Sequence, residues 1–240
     1  MTPARASSAR PAAAAGRRRV RTILGRLRKR FGPLDTPRRT EPLEELILTV
    51  LSQNTSDANS VRSYGSLRER FPTWERLARA RESSVADSIR AGGLANVKAP
   101  RILAILREIA DREGGYDLAW MRRKNDDEVF DYLVSLPGVG AKTAACVLAF
   151  SLGRDAIPVD THVERTAKRL GLIPERTSAE KAYGLLNELI PDGLRLQMHV
   201  GLIRLGRQVC RAGRPRCGAC PLKDLCPTAP RYLPSKGSGP

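Results

Sequence analysis

The chain has 240 residues, 41% of them hydrophobic, which is enough for one large domain or two small ones with a buried core. It contains no apolar run of about eighteen residues and no apolar segment near its start, so we expect neither a membrane-spanning helix nor a secretory signal. Its net charge of +17 indicates a polyanionic partner such as nucleic acid.

Basic residues are concentrated at the start of the chain. Residues 1–34 contain ten Arg or Lys and no Asp or Glu, which accounts for more than half of the net charge. Residues 1–19 are rich in Ala, Ser, Pro and Arg without apolar periodicity, so we expect a disordered basic tail there. The same composition is typical of organellar transit peptides, and the sequence leaves that alternative open.

From about Val20 onward, apolar side chains recur with helical spacing. The clearest run falls at i, i+3, i+4, i+7 and i+8 and consists of Leu43, Leu46, Ile47, Val50 and Leu51. A second run leads from Val129 to Leu136. Since no segment shows the alternation of a strand, we predict an all-α fold of about ten helices.

Capping residues mark where these helices begin and end. Thr73 precedes a Trp-Glu turn, and Thr161 and Thr177 each have a glutamate three residues later, as in a capping box. The paired glycines at 92–93 and 114–115 and the Pro137-Gly138 pair are expected to end the preceding helices.

The stretch Leu136-Pro-Gly-Val-Gly-Ala-Lys142 joins an amphipathic helix to an apolar helix that starts at Ala141, which predicts a helix-hairpin-helix. The two glycines permit backbone angles closed to other residues and leave amide N–H groups bare, and the next helix adds its positive dipole end. The turn, formed by Gly138, Val139 and Gly140, is therefore predicted to bind a DNA phosphate through its backbone. A plain connector between packed helices is the alternative.

Lys142 lies in the first turn of that second helix, where the helix dipole disfavours a cation by about 0.3–1 kcal/mol. A lysine is a poor choice for stability at this position. The same field favours the neutral amine, which is the nucleophilic form. We therefore predict that Lys142 is a catalytic nucleophile.

An amine that forms a Schiff base needs a proton-handling carboxylate, and Asp160 is the predicted one. In the phrase Val159-Asp-Thr-His-Val-Glu164, Thr161 can cap the next helix with Glu164 at the third position, which would free Asp160 to face an active site. The alternative is that Asp160 itself is the cap, and one residue can fill both roles.

Four cysteines near the end of the chain indicate metal ligation. They are spaced C-x6-C-x2-C-x5-C, and they are Cys210, Cys217, Cys220 and Cys226. Disulfides are the competing use, but nothing marks the chain as secreted. Spacing alone leaves zinc and an iron–sulfur cluster open. The fifth cysteine, Cys146, lies among apolar residues and is predicted to be in the core.

The loop between the first two of these cysteines carries three cations, Arg211, Arg214 and Arg216. Such a cluster would suit a loop that contacts DNA phosphates. A solvated basic loop without a partner is the alternative.

Three motifs occur in the order found in one known family. The motifs are, in order, Leu136-Pro-Gly-Val-Gly-Ala-Lys142-Thr-Ala, Val159-Asp160-Thr-His162-Val and the four-cysteine ending. Together they resemble endonuclease III, the iron–sulfur DNA glycosylase family of base excision repair. The resemblance extends from about Leu43 to Cys226.

This resemblance implies two α-helical domains that flank a DNA-binding cleft. One is a six-helix barrel with the helix-hairpin-helix, over residues 43–155. The other joins residues 20–42 with 156–230 and carries a 4Fe–4S cluster on the four cysteines. Residues 231–240 would form a C-terminal tail.

The resemblance also implies the chemistry. Lys142 matches the nucleophile that attacks the sugar C1′ of a flipped, oxidised pyrimidine nucleotide, and Asp160 matches the carboxylate that assists. The resulting Schiff base would permit β-elimination, so that the enzyme is both a glycosylase and an abasic-site lyase. The implied partner is double-stranded DNA with damaged pyrimidines or abasic sites, bound by a monomer in the cytoplasm at the nucleoid.

Two further segments resemble the family's elements that fill the gap left by the flipped nucleotide. They place Asn54 where many relatives have glutamine, and Leu94 where a leucine wedge is common. Since a shorter amide reaches less far, we expect either weaker gap filling by Asn54 or a share in the role for Gln53. The alternatives are that Asn54 caps a helix and that Leu94 is buried.

Two rival interpretations remain at this point. The mismatch adenine glycosylases share these motifs but usually have serine in place of Lys142 and continue into a further domain, whereas fourteen residues follow Cys226 here. A noncatalytic DNA-binding or electron-transfer protein with the same cluster is the rival from another class.

Overall fold

The computed structural model describes residues 9–35 and 40–233. This part of the chain contains eleven α-helices, several 3-10 turns and no strand, which confirms the all-α prediction. None of its helices combines the length and the apolar character that crossing a membrane requires. The chain divides into a central unit, residues 38–154, and a terminal unit, residues 1–37 with 155–240.

The helices follow each other with short connections. In chain order they are α1 (Ala9–Phe31), α2 (Pro42–Ser52), α3 (Asp57–Arg70), α4 (Trp74–Ala78), α5 (Glu82–Ser88), α6 (Ala95–Glu113), α7 (Asp126–Ser135), α8 (Ala141–Cys146), α9 (Thr161–Arg169), α10 (Ala179–Leu189) and α11 (Arg195–Gln208). Helix α8 continues directly into a π-helical turn, Val147–Ser151. The 3-10 turns are Arg90–Gly92, Ala119–Arg123, Cys217–Ala219 and Ala229–Tyr232.

Helix α1 begins inside the segment that we expected to be disordered. Residues 9–19 are helical, so that expectation is wrong for them, while residues 1–8 lie outside the described part of the chain. Alanine is the strongest helix former, and the Ala12–Ala15 run extends a helix whose next turns bury Val20, Ile23 and Leu24 in the core of the terminal unit.

Two arginines of α1 are structural rather than free for a partner. Arg19 donates to the carbonyls of Leu170 at 2.5 Å and Leu225 at 2.9 Å. Arg26 pairs with Asp224 at 2.5 Å. These contacts attach α1 to the segment between the last two ligand cysteines, so the N-terminal helix braces the cysteine-rich end of the chain.

The predicted boundaries in the central unit are confirmed. Thr73 caps α4 by accepting from the Arg76 N–H at 3.3 Å. Gly93 and Gly114 follow the predicted helix ends with left-handed φ of 66° and 70°. In the terminal unit, Ser178 rather than Thr177 caps α10, because its hydroxyl reaches the Lys181 N–H and Thr177 is buried.

The core of the central unit is built on α2. Its apolar face, which includes the fully buried Leu46, Ile47 and Val50, packs against α3, α6 and α8. Arg154 joins the far ends of the helix-hairpin-helix, since it pairs with Asp126 at 2.6 Å and donates to the Met121 carbonyl at 2.7 Å. Helices α7 and α8 are therefore fixed at the end opposite the hairpin turn.

Candidate functional site

The hairpin between α7 and α8 is a tight turn with glycine at its third position. The Val139 N–H donates to the Leu136 carbonyl at 3.1 Å, and Gly138 has φ of 70°, as a type II turn requires after proline. Leu136 and Val139 are buried, whereas Pro137, Gly138 and Gly140 are exposed. The helix-hairpin-helix is confirmed, with apolar anchors on one side of the turn and an exposed backbone on the other.

The two hairpin glycines have different reasons to be glycine. A Cβ on Gly138 would meet Arg101 Nε at 2.6 Å, in addition to the left-handed φ. Gly140 has φ of −106°, which any residue adopts, and open space around it, so the expectation of a special backbone angle is wrong there. Gly140 is the N-cap of α8, and having no side chain it leaves the start of the helix uncovered.

Lys142 is the second residue of α8 and is half-buried. Burial raises the pKa of the Cys146 thiol, one turn later, while its interactions with the Lys142 ammonium and the Thr49 hydroxyl oppose that rise. The Lys142 ammonium is therefore close enough to the Cys146 thiol to interact with it.

A buried carboxylate extends this polar contact into α2. Glu45 is 5% exposed and accepts from the hydroxyls of Thr40 at 2.8 Å and Thr49 at 3.1 Å. Its charge also acts on Cys146. Cys146 is buried, as predicted, but its surroundings connect Lys142 to an internal acid.

The proposed gap-filling residues both lie on loops of the central unit. Asn54 follows α2 and Leu94 precedes α6, and both are exposed, Leu94 by 52%. Neither alternative from the sequence applies, since Ser56 caps α3 and Leu94 is not buried. Both have a left-handed backbone, with φ of 53° and 52°.

Gln53 is engaged inside the protein. Arg101 donates to its side-chain oxygen at 2.8 Å, and the same arginine lies against Gly138. Arg101 thus connects the loop after α2 to the hairpin turn. Because the Gln53 amide is occupied in this way, Asn54 is the more available of the two amides.

Asp160 is the N-cap of α9. Its Oδ1 accepts from the Val163 N–H at 2.7 Å, and Thr161 is the first helical residue, so the prediction that Thr161 caps this helix is wrong. The physical reason is that a carboxylate is among the best caps and also complements the helix dipole. Glu164, expected in a capping box, instead pairs with Lys168 at 2.5 Å.

The segment before Asp160 is buried and held from the other side. Ile157 and Val159 lie in the core of the terminal unit, and the buried His199 donates from Nδ1 to the Pro158 carbonyl at 2.7 Å. The Asp160 carboxylate therefore lies directly after a segment that is fixed by burial and by the His199 hydrogen bond.

The four ligand cysteines come together in the terminal unit. They line one pocket whose other walls are largely apolar and include Leu170, Leu205, Val209 and Tyr232. Cys210 accepts from Arg169 at 3.5 Å, and the Cys226 thiol donates to the Arg169 carbonyl at 3.1 Å. Burial raises the pKa of the Cys217 and Cys220 thiols, and a bound metal would favour their thiolate forms.

This arrangement fits a cluster better than a single metal ion. Four thiolates around one zinc lie about 4 Å apart, given Zn–S bonds of about 2.3 Å in a tetrahedron. Among the described residues, no three His, Cys, Asp or Glu side chains are grouped so as to hold one ion. Four cysteines that line one pocket without being grouped to hold a single ion suit a 4Fe–4S cluster, in which each binds a different iron.

The three arginines of the cysteine loop are exposed. Arg216 also donates to the Gln208 carbonyl. Arg169, on α9, holds the loop by donating to the carbonyls of Arg211 and Ala212, each at 2.7 Å. Arg211 and Arg214 therefore present their charges on a braced loop.

Sequence patterns did not identify Arg101 or Glu45 as parts of this site, nor Lys98, which donates to the Leu51 and Gly92 carbonyls next to its two loops. Lys98 and Arg101 lie on α6 and Glu45 on α2, where their neighbours carry the apolar periodicity of a core helix. A charged residue at an apolar position of such a pattern is the signal that would have found Lys98 and Glu45, which are both buried.

Comparison with known proteins agrees with the geometry. Residues 47–192 match the HhH-GPD superfamily of base excision DNA repair proteins, and residues 210–226 match the iron–sulfur binding domain of endonuclease III. Endonuclease III of Thermotoga maritima is 36% identical over 187 residues, covering 78% of this chain and 83% of that protein.

Two further similarities are of the same kind. An Arabidopsis thaliana protein named as a DNA glycosylase is 39% identical over 165 residues, and the match spans 69% of this chain but 56% of that longer protein. A solved structure of a trapped endonuclease III–DNA covalent intermediate has a TM-score of 0.77 and 31% identity, and covers 90% of this chain and 97% of that one.

The hairpin with its lysine, the four-cysteine pocket and these matches lead to one conclusion. The chain belongs to the endonuclease III family of base-excision-repair enzymes, DNA glycosylases of the HhH-GPD superfamily with a 4Fe–4S cluster.

Proposed function

We propose that this DNA glycosylase removes oxidised pyrimidines from double-stranded DNA and then cleaves the abasic strand by β-elimination. One observation carries the proposal: Lys142 presents a primary amine at the start of α8, directly after the hairpin and half-buried against Cys146. The solved covalent endonuclease III–DNA intermediate that the chain resembles supports the same chemistry.

The chemistry begins with the neutral amine. Lys142 Nζ attacks the sugar C1′ of a nucleotide turned out of the duplex, the C1′–N bond breaks, and the base leaves with a proton. Opening of the sugar ring gives a protonated imine between Nζ and C1′. Loss of a proton from C2′ then expels the 3′ phosphate, and water releases the enzyme from the remaining sugar.

Asp160 supplies the carboxylate for these steps. Its Oδ1 is engaged with the Val163 N–H, so Oδ2 is the oxygen to which we assign the charge that stabilises the developing cation at the sugar. The capping bond fixes the side chain, so a single residue serves both the helix and the reaction.

Three surfaces would hold the DNA. The exposed backbone of Gly138 and Gly140, on either side of the buried Val139, suits a phosphate, as do the cations Arg211 and Arg214. Asn54 and Leu94 would occupy the space that the flipped nucleotide leaves. The four cysteines would hold the 4Fe–4S cluster, which ties together the loop that carries the arginines.

Borohydride trapping tests the proposal. The wild-type protein is incubated with a duplex that contains one oxidised pyrimidine, or one abasic site, and the imine is reduced to a stable amine. We expect a covalent protein–DNA adduct with both substrates and strand cleavage when borohydride is omitted. Lys142→Gln should form no adduct and should still bind the abasic duplex.

Lys124→Gln is the matched control. Lys124 lies in the same unit and pairs with Glu128 on the surface at 2.9 Å, so its loss should leave trapping unchanged. A wild-type protein that binds abasic DNA but never forms the adduct contradicts the lyase proposal. Trapping on abasic DNA without release of an oxidised pyrimidine contradicts the proposed substrate.

A further inference from the structure

Lys98 is a charged side chain buried in the central unit. It is 2% exposed and lies in the first turns of α6, where the helix dipole disfavours a cation. Burying an ammonium group is unfavourable unless it is hydrogen-bonded. Burial also lowers the pKa of Lys98. A residue this unfavourable for stability points to a role that an apolar side chain could not fill.

The ammonium connects two helix ends that are far apart in sequence. It donates to the carbonyl of Leu51 at 2.8 Å and to that of Gly92 at 2.9 Å. Leu51 is in the last turn of α2, and Gly92 ends the 3-10 turn before α6. Carbonyls at helix ends lack an internal partner, so Lys98 satisfies both ends with one group.

Each of these carbonyls lies just before a gap-filling candidate. Asn54 follows Leu51 by three residues, and Leu94 follows Gly92 by two. Among the described residues, Asn54 and Leu94 are the non-glycine positions with positive φ. A left-handed backbone is strained for such a residue, and it persists where the surroundings impose it.

Gly92 is held close to α3. A Cβ on Gly92 would meet Ser63 Oγ at 2.7 Å, so a larger residue would shift the segment that carries the Gly92 carbonyl. The Ser63 hydroxyl in turn donates to the Ile89 carbonyl at 3.3 Å. The loop before Leu94 is thereby held against α3 as well as against α2.

We propose that Lys98 is a positioning residue that holds the Asn54 loop and the Leu94 loop at a fixed spacing, so that both side chains enter the DNA gap together. The proposal rests on the gap-filling role in the proposed function. Two loops that are already ordered lose little conformational entropy when they bind DNA, so their affinity is higher. This gain in affinity appears with gapped or abasic DNA and not with an intact duplex.

Lys98→Met tests the proposal, because methionine has a similar length and no donor. The readout is the ratio of affinities for a duplex with an uncleavable abasic-site analogue and for the same duplex intact, together with the fluorescence of 2-aminopurine opposite the site. We expect the affinity ratio to fall by about tenfold and the fluorescence change on binding to shrink. Thermal unfolding is measured in parallel.

Leu77→Ala is the control for lost stability, since Leu77 is a fully buried core residue of the same unit on α4. It should lower the Tm and keep the affinity ratio. Gly92→Ala serves if Lys98→Met does not fold, because its Cβ displaces the carbonyl through Ser63 and leaves the ammonium in place. If Lys98→Met or Gly92→Ala has a lowered Tm but keeps the wild-type affinity ratio, the proposal is overturned.

Asn54→Ala and Leu94→Ala separate this proposal from the chemistry. If both keep the wild-type ratio, the positioning role is overturned, because the side chains that it positions contribute nothing to recognition. Borohydride trapping through Lys142 on abasic DNA is scored separately, so the lyase proposal stands or falls by its own result.

Discussion

The carboxylate of Asp160 accepts a hydrogen bond of 2.7 Å from the backbone N–H of Val163 and thereby caps helix α9. A residue expected to assist catalysis is therefore also part of the fold. Two substitutions separate these roles, because asparagine is as good a cap as aspartate but carries no charge.

Asp160→Asn should keep the cap and lose the charge. We expect a Tm within error of the wild type and a strand-cleavage rate lower by at least about tenfold, measured in single-turnover assays on abasic DNA. Asp160→Ala should lose the same activity and also about 1 kcal/mol of unfolding free energy. Normal cleavage by Asp160→Asn contradicts the catalytic role and leaves Asp160 as a cap alone.

Gly138→Ala should destabilise the hairpin. The left-handed backbone costs alanine about 1–2 kcal/mol, and the new Cβ must displace Arg101, whose Nε lies 2.6 Å from its position. Gly140→Ala is the paired control, because Gly140 has φ of −106° and open space. Thermal unfolding should show a clear loss for Gly138→Ala and little for Gly140→Ala; equal losses would disprove this account of the turn.

Cys217→Ser should remove the cluster. Three thiolates and a hydroxyl hold a 4Fe–4S cluster poorly, and metal binding and folding are coupled, so the terminal unit should also lose stability. Iron and sulfide analysis and the visible absorption that a 4Fe–4S cluster is expected to give measure the loss. Cys146→Ala, which removes the cysteine of the central unit, should keep the full iron content.

Arg214→Ala should weaken DNA binding in a salt-dependent way. If its exposed guanidinium neutralises one phosphate, the negative slope of log K against log salt concentration should become shallower by about 0.9. Arg169→Ala should instead destabilise the loop, because Arg169 donates to the carbonyls of Arg211 and Ala212. An unchanged slope for Arg214→Ala would mean that this arginine is only solvated.

The raised pKa of Tyr64 predicts that the protein loses stability at alkaline pH. Burial raises its pKa, and so does its hydrogen bond to Glu44 at 2.8 Å. A raised folded-state pKa means that the stabilisation is complete below the unfolded pKa of about 10 and declines as the pH rises above it. Tyr64→Phe should therefore have a lower Tm than the wild type at pH 8, and the difference should narrow toward pH 11.

Much of the site could be read from local spacing. The apolar periodicity predicted the helices, the Pro-Gly-x-Gly turn predicted the hairpin ahead of Lys142, and the cysteine spacing predicted a metal centre. Each depends on residues in one short segment of the chain, where sequence distance and spatial distance agree.

Other features depend on contacts across the chain. Asp160 is the cap of α9 because a carboxylate competes better than the neighbouring threonine for the free N–H groups, a choice that the capping-box pattern did not predict. The basic start of the chain is helical from Ala9 because its next turns are buried against α10 and α11.

The amino-acid sequence by itself determined the all-α class, the hairpin with its lysine and the four metal-binding cysteines, since all of these are set by neighbours along the chain. Tertiary structure alone decided that Lys98 joins the Leu51 and Gly92 carbonyls and that Arg101 joins Gln53 to the hairpin. The bond from Lys98 to Leu51 spans 47 residues. A buried cation is stable where folding brings acceptors around it, and helical periodicity does not specify which helix ends meet.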